Sequence, residues 1–181
     1  NFIIVSGMAI GIDTVAHESA TKTVAVLGGS IDKPYPACNR ALYNDIIENK
    51  GAVVSEFPPG VTTQPWHFVS RNRIVSGLSV GTLVVEGTER SGALITASCA
   101  AHQGRDVYAI PGQIDSLLSQ APNILIQNGA RPALSPTDII CEYPAATSQK
   151  TSQPAQLSLL EKALYDKLSE CPYTASSLSK H

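Results

Sequence analysis

Charged side chains are scarce in this chain: they make up 15% of its 181 residues and leave a formal net charge of −2. No overall basic field is available to draw in a nucleic acid, so any recognition of phosphate has to be local. The four cysteines, Cys38, Cys99, Cys141 and Cys171, lie far apart, with no CxxC pair and no Cys/His cluster. That spacing speaks against a zinc site and a disulfide framework, and it fits a reduced, cytoplasmic setting. No apolar run approaches the roughly 20 residues of a membrane span, and no secretory type of leader opens the chain. Asn1 stands directly before an apolar strand pattern, and the expectation is of a fragment.

Apolar residues, by contrast, reach 43% of the chain, enough for one buried core with a small appendage. Short apolar runs at 2–5, 24–27, 52–54, 82–85 and 107–110 predict strands. Segments 14–20, 37–49, 68–78 and 93–103, with a shorter one at 123–127, carry helical patterns. Strand, helix, strand at this spacing implies right-handed βαβ units. The expected architecture is therefore α/β: a Rossmann-like, mostly parallel sheet with helices on both faces, over residues 1–142. Residues 143–156, a small polar stretch bounded by Pro144 and Pro154, read as a linker. Beyond it Leu157, Leu160, Leu164 and Leu168 recur at helical spacing, and Thr174 is placed to cap a second helix. Residues 157–181 read as part of a small helical module of winged-helix or helix-turn-helix type.

Polar chemistry is concentrated in the stretch 68–96. Cationic clusters, Arg71 with Arg73 on one side and Arg90 on the other, flank an uncharged strand, 81–85, whose composition predicts burial on both faces. Glu86, Arg90, Ser91 and Gly92 follow its carboxyl end, where the ligands of open α/β sheets sit, and the helix opening at Ala93 offers free N–H groups to an anion. Phe68, Arg71 and Asn72 share a helical face, which puts a flat ring beside a guanidinium, as unpaired bases and their phosphates require. The plainer alternative makes Phe68 a core residue and pairs Arg71 and Arg73 with Glu56 or Glu86. Glu86, at the end of a buried strand, needs a cation from Arg71, Arg73 or Arg90, and would then organise that wall. General-base work for Glu86 is disfavoured, because neither His67 nor His102 has triad or metal spacing.

Two glycine-bearing turns belong to the same rim. In SGMAIGID, residues 6–13, Ser6, Gly7 and Gly11 follow the first strand and let backbone N–H groups approach a phosphate, with Asp13 as helix cap. An ordinary structural turn uses the same residues. His17, four residues after Asp13, is placed to share a hydrogen bond with it and reads as a structural histidine. Gly28, Gly29 and Ser30 end the second strand on the same rim. Lys22 lies at that strand's amino end, away from the crevice, and reads as a solvated charge.

These segments, SGMAIGID with its following Ala16-His17, TVAVLGGSIDKPYP, SEFPPG, FVSRNRIVSGLS, VVEGTERSGALITA, QGRDVYAIPG and LIQNGA, occur in this order between residues 2 and 140. In that order they resemble the DprA/Smf family of DNA-processing proteins. The resemblance implies an extended Rossmann fold that binds single-stranded DNA and loads the RecA recombinase onto it in natural transformation. It further implies a homodimer or larger assembly, with neither enzymatic activity nor a cofactor. As lining of the DNA pocket it implies Ser6, Gly7, Asp13, Phe68, Arg71, Asn72, Arg73, Glu86, Arg90, Ser91 and Gly92, and it adds Lys22, which matches a lysine common before that strand. The chain departs from the family at Ile10, where many members have Arg or Lys, and at Ala121-Pro122, where a glycine-containing pair is common. The family's first βα unit, with its phosphate loop, has no counterpart, and the connection at Ala20-Thr21 is short. An incomplete site of this kind is expected to bind single strands more weakly than an intact relative. Two other functions remain open at this point: a nucleotide-binding or nucleotide-hydrolysing enzyme of related Rossmann type using Glu86 and Arg90, and a duplex-binding regulator acting through the helical module.

Overall fold

The computed structural model of the chain describes residues 2–144. The linker expected at 143–156, beyond its first two residues, and the helical module expected at 157–181 lie outside the described residues. The elements follow in the order β1 (Ile4–Ser6), α1 (Ile12–Ser19), β2 (Thr23–Leu27), α2 (Arg40–Asp45), β3 (Gly51–Ser55), α3 (Pro65–Gly77), β4 (Gly81–Val84), α4 (Gly92–His102), β5 (Asp106–Ala109), α5 (Gln120–Gln127), β6 (Arg131–Pro132) and α6 (Pro136–Ile140). A 3-10 turn at Ala37–Asn39 leads into α2, and a π turn at Ile46–Lys50 carries it on to β3.

Every strand and helix expected from periodicity within the described residues is present, with ends shifted by at most three residues when α2 is taken together with its flanking 3-10 and π turns. The expected Rossmann-like α/β architecture with parallel strands is present. Two parallel three-stranded sheets form, in the orders β1-β2-β3 and β4-β5-β6, and no ladder joins β1 to β4. Periodicity also missed β6 and α6, which have two and five residues and are too short to show a period. The signal for α6 was local: Ser135 caps the helix, Pro136 opens it, and the Asp138 carboxylate accepts the N–H groups of Leu134 and Ser135, each at 2.8 Å.

Met8, Ala25, Leu27, Leu42 and Ile46 form one buried cluster between β2 and the helices of the first sheet. Val84, Ala97, Ala100, Tyr108 and Ala109 are buried in the second. Burying a Leu, Ile or Met side chain of this kind contributes about 1.5–3 kcal/mol. The two sheets are joined through helices. Along α3 and α4, which pack together, Asn72 donates to the Gly92 carbonyl at 3.4 Å, and the Gln103 side chain donates to the Arg73 carbonyl at 2.9 Å while accepting from the Ser76 hydroxyl at 2.8 Å. At the amino ends of the strands Tyr143 makes the connection. Its hydroxyl donates to Asp106 at 2.7 Å and its ring stands edge-on to Phe2 at 6.1 Å.

Helix α3 is anchored to the first sheet by a buried cation. Arg71 is 5% exposed, and its Nη1 donates to the carbonyl of Gly7 at 2.7 Å and to that of Val26. The N–H of the same Gly7 donates to the Asp13 carboxylate at 3.2 Å, as does the N–H of Ala9. Burial lowers the pKa of Arg71, and the nearby Asp13 charge partly offsets this. Asp13 thus fastens the turn and does not bond His17, contrary to the expectation. His17 is fully buried, and its Nδ1 lies 2.6 Å from the Thr23 hydroxyl. That hydroxyl spends its proton on the Ile4 carbonyl at 2.7 Å, so Nδ1 is the donor to it.

Two outcomes follow for urea denaturation. Replacing Arg71 by Met strands two strand-end carbonyls and should lower the unfolding free energy by about 2–3 kcal/mol. Arg73→Met, which removes only a half-exposed pair with Glu56, should cost under about 1 kcal/mol. Burial holds the His17 pKa below its ordinary value. The folded state therefore binds fewer protons there than the unfolded one, so stability is complete above about pH 6.5 and is lost as pH falls towards the lowered value. The urea midpoint of the unaltered chain should decline below that pH, and His17→Gln should remove this part of the decline.

Candidate nucleic-acid interface

In a doubly wound sheet the ligand crevice lies outside the carboxyl ends of the strands, where the strand order reverses. Here that place is the gap between β1 and β4. One wall is the turn after β1. Ser6 ends the strand, Gly7 follows, Met8 takes a left-handed φ of 61° with its side chain fully buried, and Gly11 stands at φ 100° just before α1. Asn39, a residue the sequence did not single out, steadies this turn by donating to the Met8 carbonyl at 3.0 Å and to the Thr14 hydroxyl at 2.9 Å. A Cβ on Gly7 would meet the Arg71 guanidinium, so any side chain there would displace that guanidinium from its carbonyls.

Next to it, Gly28 and Gly29 continue from β2. A Cβ on Gly28 would lie 2.6 Å from Cδ1 of Phe68, so the ring of Phe68 lies directly over this backbone. Phe68 is half-buried, and its other neighbour is Tyr35, with ring centroids 5.5 Å apart and planes at 49°. The opposite wall is the loop from Glu86 to Gly92. Gly87 is sewn to the start of α5 by its N–H to the Leu118 carbonyl at 2.7 Å and by the Ala121 N–H to its own carbonyl at 2.9 Å. The Ala121-Pro122 departure fits this arrangement, since Pro122 falls in the first turn of α5, where no helical N–H bond is lost. Ser91 caps α4 by accepting from the Ala93 N–H at 3.2 Å. Gly92, first in an eleven-residue helix and exposed, has an N–H that the helix cannot satisfy. The Arg90 side chain is 92% exposed, and its one ionic neighbour is Glu89 at 3.9 Å.

The structure brings Ser6, Gly7, Asp13, Phe68, Arg71, Asn72, Ser91 and Gly92 around this gap, linked through α3. Four expectations need correction. Arg71 does not present its guanidinium to solvent, because the carbonyls of Gly7 and Val26 take it inward. Arg73 pairs with Glu56, the plainer of the two readings, and two residues on from Arg71 it projects from a different face of α3. Glu86 is not a buried carboxylate organising arginines. The strand ends at Val84, so Glu86 is exposed, and it has no ion pair among the described residues. Lys22 is exposed at the amino end of β2, opposite the crevice, as the strand direction alone dictates. The cation left facing outward at the crevice is Arg90. Ile10, where the resemblance led one to look for another, is 75% exposed on the facing turn.

Chemically, the gap offers backbone N–H groups, a helix N-terminus, one solvent-exposed guanidinium and an aromatic wall. These bind an anion and a planar ring. Among the described residues no group of His, Cys, Asp and Glu is placed to hold a metal ion, and no helix is long and apolar enough to cross a membrane.

Comparison with known proteins agrees with this layout. The DNA processing protein DprA of Streptococcus pneumoniae is 46% identical over 145 residues, which cover 78% of this chain and 51% of that protein. Protein Smf of Escherichia coli is 45% identical over 141 residues, covering 76% of this chain and 38% of the relative. The chain thus spans about half or less of the length of these curated relatives. The X-ray structure of the Streptococcus pneumoniae protein superposes with a TM-score of 0.74 over 78% of this chain and 51% of its own. DNA processing protein A of Helicobacter pylori, whose structure concerns a single-stranded DNA binding mode, superposes with a TM-score of 0.72 at 27% identity, over 77% of this chain and 65% of its own. The family model for DNA recombination-mediator protein A matches residues 1–144. With the same motifs, the same α/β architecture and that match, the chain belongs to the DNA recombination-mediator protein A family, whose members act in DNA processing and recombination.

Proposed function

We propose that this chain binds single-stranded DNA in the crevice between β1 and β4, and that the protein to which the crevice belongs hands the strand to RecA recombinase as a homodimer in the cytoplasm. The observation that carries the first part is that the Arg90 guanidinium and the N-terminus of α4, beyond β4, and the Tyr35–Phe68 wall over Gly28, beyond β2, all lie past the carboxyl ends of parallel strands. A phosphate suits the first two and an unpaired base suits the third. A duplex keeps its bases stacked inside and has no use for an aromatic wall. The single-stranded DNA binding of the Helicobacter pylori relative supports the same ligand.

The site works by holding and not by reacting. Hydrolysis of a nucleotide needs an acid or base poised on the reacting bond. Glu86, the candidate for it, is exposed, and among the described residues it forms no pair with Arg90 and has no histidine bonded to it. Nucleoside monophosphates incubated with the chain should accordingly release no free base.

Binding is tested by fluorescence anisotropy of a labelled oligo(dT) against the same sequence as duplex. The single strand should bind more tightly, and a preference for duplex would overturn the reading. Arg90→Ala should weaken binding and reduce the slope of log affinity against log salt by roughly 0.7, the value for one phosphate contact to a single strand. Addition of RecA should retard the protein–oligonucleotide complex further in a native gel.

A further inference from the structure

One ring at the crevice, within the segment TVAVLGGSIDKPYP, has no role assigned among the pocket residues. Tyr35 is 58% exposed although it packs against Phe68. The other tyrosines of the described residues spend their hydroxyls within the fold: Tyr43 donates to the Ile31 carbonyl at 2.8 Å, Tyr108 to the Tyr143 hydroxyl at 3.3 Å, and Tyr143 to Asp106. The Tyr35 hydroxyl has no partner among the described residues. Its neighbour cannot offer a ring face in the same way, because Phe68 is wedged between the Gly28 backbone and Tyr35 itself.

The ring is also held stiffly. Tyr35 stands between Pro34 and Pro36, which restrict the backbone on both sides of it. Pro36 is buried, and three residues further on Asn39 is tied to the Met8 carbonyl. A ring fixed before its ligand arrives loses little freedom when a base stacks on it. Lys33 and Arg40 stand exposed on either side of it in sequence and form no ion pair among the described residues. The adjoining acid, Asp32, is occupied by the Gly60 N–H at 3.0 Å.

We infer that Tyr35 is a base-stacking residue buttressed by Phe68, and that a single strand leaves the crevice across its face towards α2, with Lys33 and Arg40 beside the phosphates. Tyr35 has this role only if the crevice holds a single strand, as proposed above. It then sets the direction in which the strand runs: over the first sheet, away from Arg90.

The test uses the full chain, oligo(dT) of about 4 to about 16 nucleotides, and anisotropy at several salt concentrations. Tyr35→Ala should weaken binding about 5- to 100-fold, the loss of one stacked base, while leaving the salt slope unchanged because no charge is removed. Tyr35→Leu, which keeps an apolar contact with Phe68 but has no ring, should lose as much, and Tyr35→Phe should bind like the unaltered chain. Arg40→Ala should flatten the slope by roughly 0.7. An unchanged urea midpoint in Tyr35→Leu assigns its loss to the contact and not to the fold. If Tyr35→Ala and Tyr35→Leu bind like the unaltered chain while Arg90→Ala is weakened, the stacking role is overturned and the single-strand reading stands. If the unaltered chain binds no single strand, both fall together.

Discussion

The peptide groups of Gly7 are held from both sides by opposite charges, and much of the structure depends on that grip. Its N–H points to the Asp13 carboxylate and its carbonyl receives the Arg71 guanidinium. Asp13 belongs to α1 and Arg71 to α3, while a second carbonyl under the same guanidinium, that of Val26, belongs to β2. One residue without a side chain therefore fixes the relative positions of two helices and two strands. A buried cation is costly unless its donors are used, and here backbone carbonyls satisfy it where a carboxylate in direct contact does not.

This arrangement redistributes roles among the basic residues. A guanidinium spent on carbonyls positions a wall, and the one left in solvent is available to a ligand. Arg71 is of the first kind and Arg90 of the second. Residue type and spacing could not separate them, because the sequence shows that an arginine faces a strand end but not which acceptors are nearer.

The fold was largely legible because short β-branched runs alternating with helical segments leave few arrangements open, and strand direction alone placed Lys22 at the far end. The division into two sheets was not legible, since the apolar run 81–85 looks the same with a neighbour on one side or two. Glu86 was misjudged by the length of that strand, which ends two residues before it. Asp13 was placed correctly near the helix start but does not cap it, since Gly11 is the N-cap and the Asp13 carboxylate reaches back to Gly7 and Ala9 and not forward to His17. Tyr35 and Asn39 were passed over because they lie in a loop with no period. The bracketing of Tyr35 by two prolines was the one visible sign of a rigidly held ring.

Within each sheet the strands are spaced by ladder hydrogen bonds, which tolerate little variation. Across the crevice no such bonds exist, and the walls are set apart by the seating of α3 on α4, with Asn72, Ser76 and Gln103 as the polar contacts between them. Interhelical distance follows side-chain volume. The aperture of the site is thus encoded partly along the seam beyond the site, at Ser76 and Gln103, and sequence drift there can widen or narrow the opening while every strand keeps its register.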